Sequence, residues 1–137
     1  MRGLMRLSMI AGAPAFLFPI AIIAQTFPAK PIRLIVPSAP GGGADVTARI
    51  IGPKMSEYLR QQVVIENRAG AGTMIGGEAV ARAAPDGYTI AYATTSAMVM
   101  RPFLTKNTPY NTLTDFTPIS QVGEAVACVI VNNSLPV

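Results

Sequence analysis

The alternation of short β-forming runs with helix-like segments is the feature that most constrains the fold of this chain. Five runs rich in β-branched, aromatic and other apolar residues are predicted to be strands: 32–36, 63–65, 88–93, 117–122 and 125–131. Helices are predicted at about 44–60, 74–84 and 94–104, where the longer segments carry apolar residues at steps of three and four. This order predicts an α/β fold, in which an open parallel or mixed sheet is flanked by helices.

Two segments are predicted to depart from this regular pattern. Gly52 and Pro53 lie inside the first helix and should kink it or shorten its first half, because proline lacks a backbone N–H. The stretch KNTPYNTLTDF, residues 106–116, is predicted to be an extended surface connection.

The N-terminal segment has the pattern of a signal peptide. Two arginines precede an uncharged apolar run that extends from residue 7 to Ala24. We expect residues 1–24 to be a signal peptide cleaved after Ala24. A membrane anchor is the alternative, since the run is just long enough to span a bilayer, although its prolines weaken that interpretation. The only cysteine is Cys128, so no cysteine is present at the cleavage site for lipid attachment.

Composition argues against several classes of function. The chain contains no histidine, so it has no Ser-His or Cys-His nucleophile pair. It also has no His, Cys and carboxylate cluster typical of a zinc or iron site, and we predict no metal, no cofactor and no enzymatic activity. The net charge is +4, but the lysines and arginines are scattered along the chain and form no basic patch, which argues against nucleic acid as a partner. Cys128, in AVACVIV, is predicted to pack as a small buried hydrophobic residue.

Three segments that join a predicted strand to a predicted helix share one chemistry: PSAPGGGAD at 37–45, NRAGAGT at 67–73 and TTSA at 94–97. In an open α/β sheet, ligands bind beyond the carboxyl ends of the strands. Each segment supplies backbone N–H groups at a helix N-terminus, where the helix dipole favours negative charge. Together they predict a pocket for a small anion such as a carboxylate.

Each segment also allows a purely structural interpretation. The glycines at 41–43 fit a tight turn, Asp45 fits a cap in the first helical turn, and Thr94 to Ser96 fit ordinary helix capping. GAGTMIG, residues 70–76, has the spacing GxGxxxG, which only weakly matches a dinucleotide fingerprint. A nucleotide-binding α/β enzyme therefore stays as a less favoured alternative.

Three stretches carry a resemblance to a known family: KPIRLIVPSAPGGGADVTAR, VVIENRAGAGTMIGGEAVARAAPDGYTI and PYNTLTDFTPIS. They resemble the Bug family, the extracytoplasmic substrate-binding receptors of tripartite tricarboxylate transporters. The resemblance implies a type II periplasmic-binding-protein-like fold with two lobes that close on a small carboxylate. It also implies a periplasmic location, a monomeric complete receptor and membrane subunits of the transporter as partners.

The resemblance covers only the first lobe of such a receptor. We therefore expect residues 25–137 to form an incomplete N-terminal lobe, with the second lobe absent from this chain. A truncated, non-functional fragment of a receptor is the main alternative.

The resemblance also implies a set of ligand-binding residues, with PSAPGGGAD as the principal carboxylate contact. The set predicted for this chain is Ser38, Ala39, Gly41, Gly42, Gly43, Asp45, Thr94, Thr95 and Ser96. In the family the carboxylate is held by backbone amides and ordered waters, so Arg49 and Arg68 are interpreted as structural. Ser38 stands where the family often has an aromatic residue, which leaves the identity of the ligand open.

Overall fold

The computed structural model describes residues 26–124, 126 and 128–135, so the predicted signal peptide lies outside the described residues. The sheet contains strands β1 (Ile32–Val36), β2 (Val63–Asn67) and β3 (Thr89–Ala91). All pairs are parallel, and the order is β2-β1-β3. The carboxyl ends of the three strands therefore lie at one edge of the sheet. The predicted parallel sheet flanked by helices is confirmed, and the predicted strand positions at 32–36, 63–65 and 88–93 are confirmed to within three residues.

The central strand β1 forms the core of the sheet. Its residues Ile32, Leu34, Ile35 and Val36 are all buried, as expected for a parallel strand covered on both faces. Ala48 of the first helix and Val63 of β2 pack into the same cluster. The near-continuous apolar sequence IRLIV therefore places β1 in the middle of the sheet.

The predicted helices are also present. They are α1 (Gly43–Leu59), α2 (Met74–Ala81) and α3 (Arg101–Leu104). A 3₁₀ turn at Ala71–Thr73 precedes α2, and a π-helical turn at Ser96–Met100 leads into α3.

The helix α1 runs unbroken through Pro53, so the predicted shortening of its first half does not occur. The preceding Gly52 is buried, and a Cβ added to it would lie 3.0 Å from Cδ1 of Ile65. The absence of a side chain at this position therefore lets α1 lie close against β2.

Two adjacent glycines let α2 lie directly against its neighbours. A Cβ on Gly76 would lie 2.7 Å from Cβ and 2.8 Å from Cα of Pro37, the first residue after β1. A Cβ on Gly77 would lie 2.5 Å from Cε1 of Tyr110. The helix therefore supports both the loop after β1 and the segment that follows α3.

That segment, 106–116, is more firmly anchored than a surface connection. The ring of Tyr110 is buried against Gly77, and its hydroxyl donates a 2.7 Å hydrogen bond to the carbonyl of Ala97. Thr112 Oγ1 donates to the carbonyl of Met98 at 2.8 Å, and Phe116 stacks edge-on against Tyr110. The prediction missed these contacts because they join residues that are distant in the sequence.

The predicted strands at 117–122 and 125–131 are wrong for every residue of theirs that the structure describes, which excludes Ala125 and Ala127. The described residues there are irregular, and Val126 and Ile130 are 96% and 89% exposed. Cys128 is also exposed, so its predicted burial is wrong. A strand needs a neighbouring strand to pair its N–H and C=O groups, and no described strand pairs with this stretch.

Within the described ranges, no helix has both the length and the apolar character needed to cross a bilayer.

Candidate functional site

The sheet brings the three predicted anion-binding segments to the same edge. The segment after β1 begins at Pro37, the segment after β2 at Arg68 and the segment after β3 at Tyr92. Because β1 is the central strand, its loop lies between the other two. The topology therefore gathers the predicted site residues around the loop that connects β1 to α1, which we call the β1–α1 loop (residues 37–42).

The three glycines of this segment have different structural reasons. Gly41 has a φ of +82°, a left-handed conformation that favours glycine. At Gly42, an added Cβ would lie 3.3 Å from the carbonyl oxygen of Ala39. The same carbonyl accepts a hydrogen bond from the Gly42 N–H, and this bond closes the turn. Gly43 has no positive φ, and a Cβ there would meet no atom within 4 Å. The fold of the described chain thus explains the first two glycines and leaves the third unexplained.

The start of α1 offers a group of backbone donors. The N–H of Val46 makes the first intrahelical bond, to the carbonyl of Gly42 at 2.9 Å. The N–H groups of Gly43, Ala44 and Asp45 precede it, and none of them donates to another atom in the part of the chain that the structure describes. These donors lie at the positive end of a helix of 17 residues, which is a favourable place for an anion.

The side chain of Asp45, in the first turn of α1, is bonded to the β1–α1 loop. Its side chain is buried, with the residue only 3% exposed. The Oδ2 atom accepts hydrogen bonds from the Gly41 N–H at 2.8 Å and from Nε of Arg49 at 3.0 Å, and Oδ1 accepts one from Nδ2 of Asn67 at 2.9 Å. The bond from Arg49, followed by those from Gly41 and Asn67, lowers the pKa of Asp45 to about 2.

This arrangement is not the simple helix cap allowed by the sequence. The N-cap residue of α1 is Gly42, which makes no side-chain cap bond. Asp45 instead reaches back to the N–H of Gly41, before the cap, and so fixes the turn that carries the glycines. The carboxylate is charged at neutral pH, and each of its oxygens accepts at least one hydrogen bond from the chain.

Ser38 lies in the loop with its hydroxyl turned inward. Its Oγ atom has almost no accessible surface and no hydrogen-bond partner among the residues described. Ala39, the next residue, is exposed. The Ser38 hydroxyl is therefore not available at the loop surface.

The third segment combines capping with exposed donors. Thr94 Oγ1 accepts the N–H of Ala97 at 3.3 Å, and the Thr94 carbonyl accepts the N–H of Met98 at 3.0 Å. Thr94 is therefore a cap for the helical segment that follows it. Thr95 and Ser96 are exposed at the start of that segment, at the same edge of the sheet as the β1–α1 loop.

The two arginines that could act as anion clamps are paired with carboxylates of the chain. Arg49 bonds Asp45, as described above. Arg68 contacts Glu66 at 2.6 Å, and Arg33 contacts the other oxygen of Glu66 at 2.7 Å. Hydrogen bonds from Arg33 and then Arg68 lower the pKa of Glu66. These contacts support the interpretation of both arginines as structural.

The glycines of GAGTMIG pack against other residues of the chain. The Arg101 side chain lies directly over Gly72, where a Cβ would clash with its guanidinium group, and Nε of Arg101 donates to the Gly72 carbonyl at 2.8 Å. Gly76 packs against Pro37. A dinucleotide loop needs open glycine backbone for the pyrophosphate, and Arg101 covers that surface here.

One site residue, Asn67, was missed at the sequence level as an individual residue. It was included only as the first residue of NRAGAGT, because the strand was predicted to end at residue 65, whereas β2 continues to Asn67. The sequence contains no motif for a metal site. Within the described ranges, no group of three or more potential metal-binding side chains is present.

Comparison with solved structures defines the class of protein. The chain resembles a structure described as a periplasmic transporter, with a TM-score of 0.59 and 48% identity over 63% of this chain and 29% of that one. It also resembles an R. palustris protein solved with adipate, with a TM-score of 0.57 and 34% identity over 67% of this chain and 31% of that one. The fold is that of part of a periplasmic-binding-protein lobe.

Sequence comparison then gives the family. The model of the tripartite tricarboxylate transporter family receptor matches residues 47–137. The chain is 42% identical to protein BugT of Bordetella pertussis over 115 residues, which are 83% of this chain and 35% of BugT. It is 48% identical to a UPF0065 protein of Pseudomonas sp. (strain P51) over 69% of this chain and 28% of that protein. The chain belongs to the tripartite tricarboxylate transporter receptor family and spans about a third of the length of these curated relatives.

Proposed function

We propose that this chain is the N-terminal lobe of an extracytoplasmic receptor that binds a small carboxylate for a tripartite tricarboxylate-type transporter. Family membership supports the receptor role, and the R. palustris relative solved with adipate supports a carboxylate as the ligand. In this proposal the membrane subunits of such a transporter are the protein partners, and neither nucleic acid nor a cofactor is involved.

The observation that carries the proposal is the start of α1, where Gly43 is exposed and Ala44 is half-buried. The N–H groups of Gly43, Ala44 and Asp45 donate to no other atom of the described chain, and neither backbone conformation nor packing requires glycine at position 43. A ligand that approaches the backbone closely would explain why position 43 lacks a side chain. The helix N-terminus would stabilise a carboxylate there without an arginine clamp.

The proposed ligand-binding residues fall into two groups at the same edge of the sheet. The β1–α1 segment and the helical start after β3 together contribute Ser38, Ala39, Gly41, Gly42, Gly43, Asp45, Thr94, Thr95 and Ser96. We assign direct contact to the exposed Thr95 and Ser96 and to the backbone N–H groups at the start of α1, which include that of Ala44, a residue outside this set. Gly41, Gly42 and Asp45 would shape the loop, and Thr94 would cap the second helical start.

Binding can be tested by calorimetry with adipate, succinate and citrate. Adipamide, which has the carbon chain of adipate but no charge, is the matched control. We expect heat from at least one carboxylate and none from adipamide. Equal binding of adipate and adipamide would contradict anion recognition, and binding of NAD⁺ in the same assay would favour the nucleotide alternative.

A chimaera separates the chemistry of the loop from the size of the chain. BugT is rebuilt with the aligned 115 residues of this chain in place of its own. We expect this chimaera to bind a carboxylate in the same panel. A folded chimaera that binds none of the carboxylates, beside a BugT control that does, would overturn the proposed function of this lobe.

We also propose export through a signal peptide at residues 1–24, which leaves a mature product from residue 25. The intact mass of the protein from the periplasm of its native host tests this. Loss of the first 24 residues is the expected result. A product that keeps them and sediments with membranes would instead support the membrane-anchor alternative.

A further inference from the structure

Asn67 occupies the position where β2 meets the β1–α1 loop. It is the last residue of β2 and pairs in register with Val36, the last residue of β1. The N–H of the following residue, Arg68, donates to the Val36 carbonyl at 2.8 Å and closes the ladder there. The side chain of Asn67 therefore begins at the point where the central strand becomes the loop.

The amide of Asn67 uses its full set of donors. Its Nδ2 atom donates to the Ser38 carbonyl at 3.2 Å and to Oδ1 of Asp45 at 2.9 Å. Its Oδ1 atom accepts a bond from Nη2 of Arg49 at 3.2 Å. A reversed amide would place its oxygen against two acceptors and its nitrogen against a guanidinium donor, so the surroundings fix its orientation.

We infer that Asn67 is a positioning residue that sets the carboxylate affinity of the β1–α1 loop, an inference that rests on the proposed function. Among the residues that the structure describes, only the side chain of Asn67 bonds both the loop backbone, at Ser38, and the buried carboxylate that holds Gly41. A loop held in its binding conformation loses less conformational freedom when the ligand arrives. Release of Asn67 should therefore weaken binding although Asn67 itself touches no ligand.

The sharpest variant is Asn67→Asp, since aspartate has nearly the shape of asparagine. It keeps an acceptor for Arg49 but turns the two-bond donor into an anion that faces the Ser38 carbonyl and Asp45. We expect a loss of adipate affinity of about tenfold or more. Asn67→Ala, which removes the bonds without adding repulsion, should lose less. Asn132→Asp makes the same charge change at an exposed asparagine whose Oδ1 acceptor role aspartate preserves, and it should bind adipate like the wild type.

A ligand-free measurement separates positioning from general damage. Amide hydrogen exchange should accelerate at Gly41, whose N–H bonds Asp45, more than in the core strand β1 when Asn67 is replaced. Equal acceleration in both places would indicate global destabilisation and overturn a specific positioning role. If neither variant folds, the wild type still provides a test, because the side-chain N–H groups of Asn67, bonded to Ser38 and Asp45, should already be protected from exchange without adipate. Unprotected side-chain N–H groups of Asn67 in the free wild type would overturn the inference.

The two proposals fail in different ways. A wild-type chain and a BugT chimaera that bind no carboxylate would overturn the proposed function, whatever the exchange data show. Wild-type binding with unchanged affinity in Asn67→Asp would leave the proposed function in place and overturn the role of Asn67.

Discussion

The β1–α1 loop and the stretch at 117–135 differ in what the rest of the chain does for them. The loop is glycine-rich and has little intrinsic preference for one conformation, yet Asp45, Asn67 and α2 hold it in place. The stretch contains the β-forming run around Val126–Val131, yet its described residues form no strand and are exposed. Order in this molecule follows from available partners more than from local propensity.

The largest difference between the two regions should appear in their apolar residues. Ile35 is 1% exposed in the central strand, whereas Ile130 lies in the exposed stretch. We expect Ile35→Ala to lower the free energy of unfolding by about 2–5 kcal/mol, because it leaves a cavity in the core. Ile130→Ala should change it by less than about 0.5 kcal/mol. Urea unfolding measures both, and similar losses would show that residue 130 packs in solution.

Glycines provide the second test. Gly76→Ala would push a methyl group into the backbone of Pro37 and against the Arg68 carbonyl, which no rotamer change relieves. We expect a loss of about 1–3 kcal/mol in unfolding free energy. Gly123, in the exposed stretch, has no atom within 4 Å of an added Cβ, so Gly123→Ala is the matched control and should be tolerated. A tolerated Gly76→Ala would mean that α2 does not press against the loop.

Tyr110 marks where the ordered contacts extend towards the exposed stretch. Tyr110→Phe removes the hydroxyl that donates to the Ala97 carbonyl, and so removes a buried hydrogen bond. A loss of about 1–2 kcal/mol is expected. Tyr58, which is 92% exposed, supplies the control Tyr58→Phe. If both variants unfold at the same urea concentration as the wild type, the segment 106–116 is not anchored as described.

The smallest effect should be confined to acid. The pKa of Asp45 is about 2 when folded and 3.8 ordinarily, so folding favours the charged form. Its contribution to stability is complete above the ordinary value and is lost as pH falls through about 2. In Asp45→Asn, the free energy of unfolding should therefore decrease less than in the wild type as the pH falls through this range. The lowered pKa of Glu66 adds to the fall and should remain in the variant.

Glu124 provides the comparison from the other region. It lies exposed, with a 3.1 Å hydrogen bond from Gln121. Glu124→Gln also removes one carboxylate, but one whose hydrogen bond comes from Gln121 outside the loop, so it is the control for the change of charge. If both variants reduce the pH dependence of the unfolding free energy equally, the effect does not come from the contacts of Asp45 with the loop.

The sequence predicted the parts of the fold that depend on local pattern. β1, α1 and β2 follow from the apolar run IRLIV, the helical spacing after it and the run VVI. The strands predicted at 117–122 and 125–131 are wrong for their described residues, because β-forming residues need a neighbouring strand to pair with. The burial of Cys128 failed for the same reason.

The sequence predicted which segments form the candidate site, but not the side-chain hydrogen bonds that hold the β1–α1 loop. Strand-to-helix segments at one sheet edge follow from topology, and the structure brings PSAPGGGAD and TTSA to that edge. The bonds that hold the loop join Asn67 to residues 22 and 29 positions away, and no periodic pattern records such distances. The inward turn of the Ser38 hydroxyl depends on the same folded surroundings.

The most direct test of carboxylate binding at the start of α1 is a residue-by-residue amide titration of the wild-type chain by NMR, with adipate and with adipamide. With adipate we expect saturable shifts of the Gly43, Ala44 and Asp45 N–H resonances, accompanied by those of Thr95 and Ser96, and with adipamide no such shifts. Shifts confined to other parts of the chain, or the same shifts with the neutral amide, would contradict carboxylate binding there.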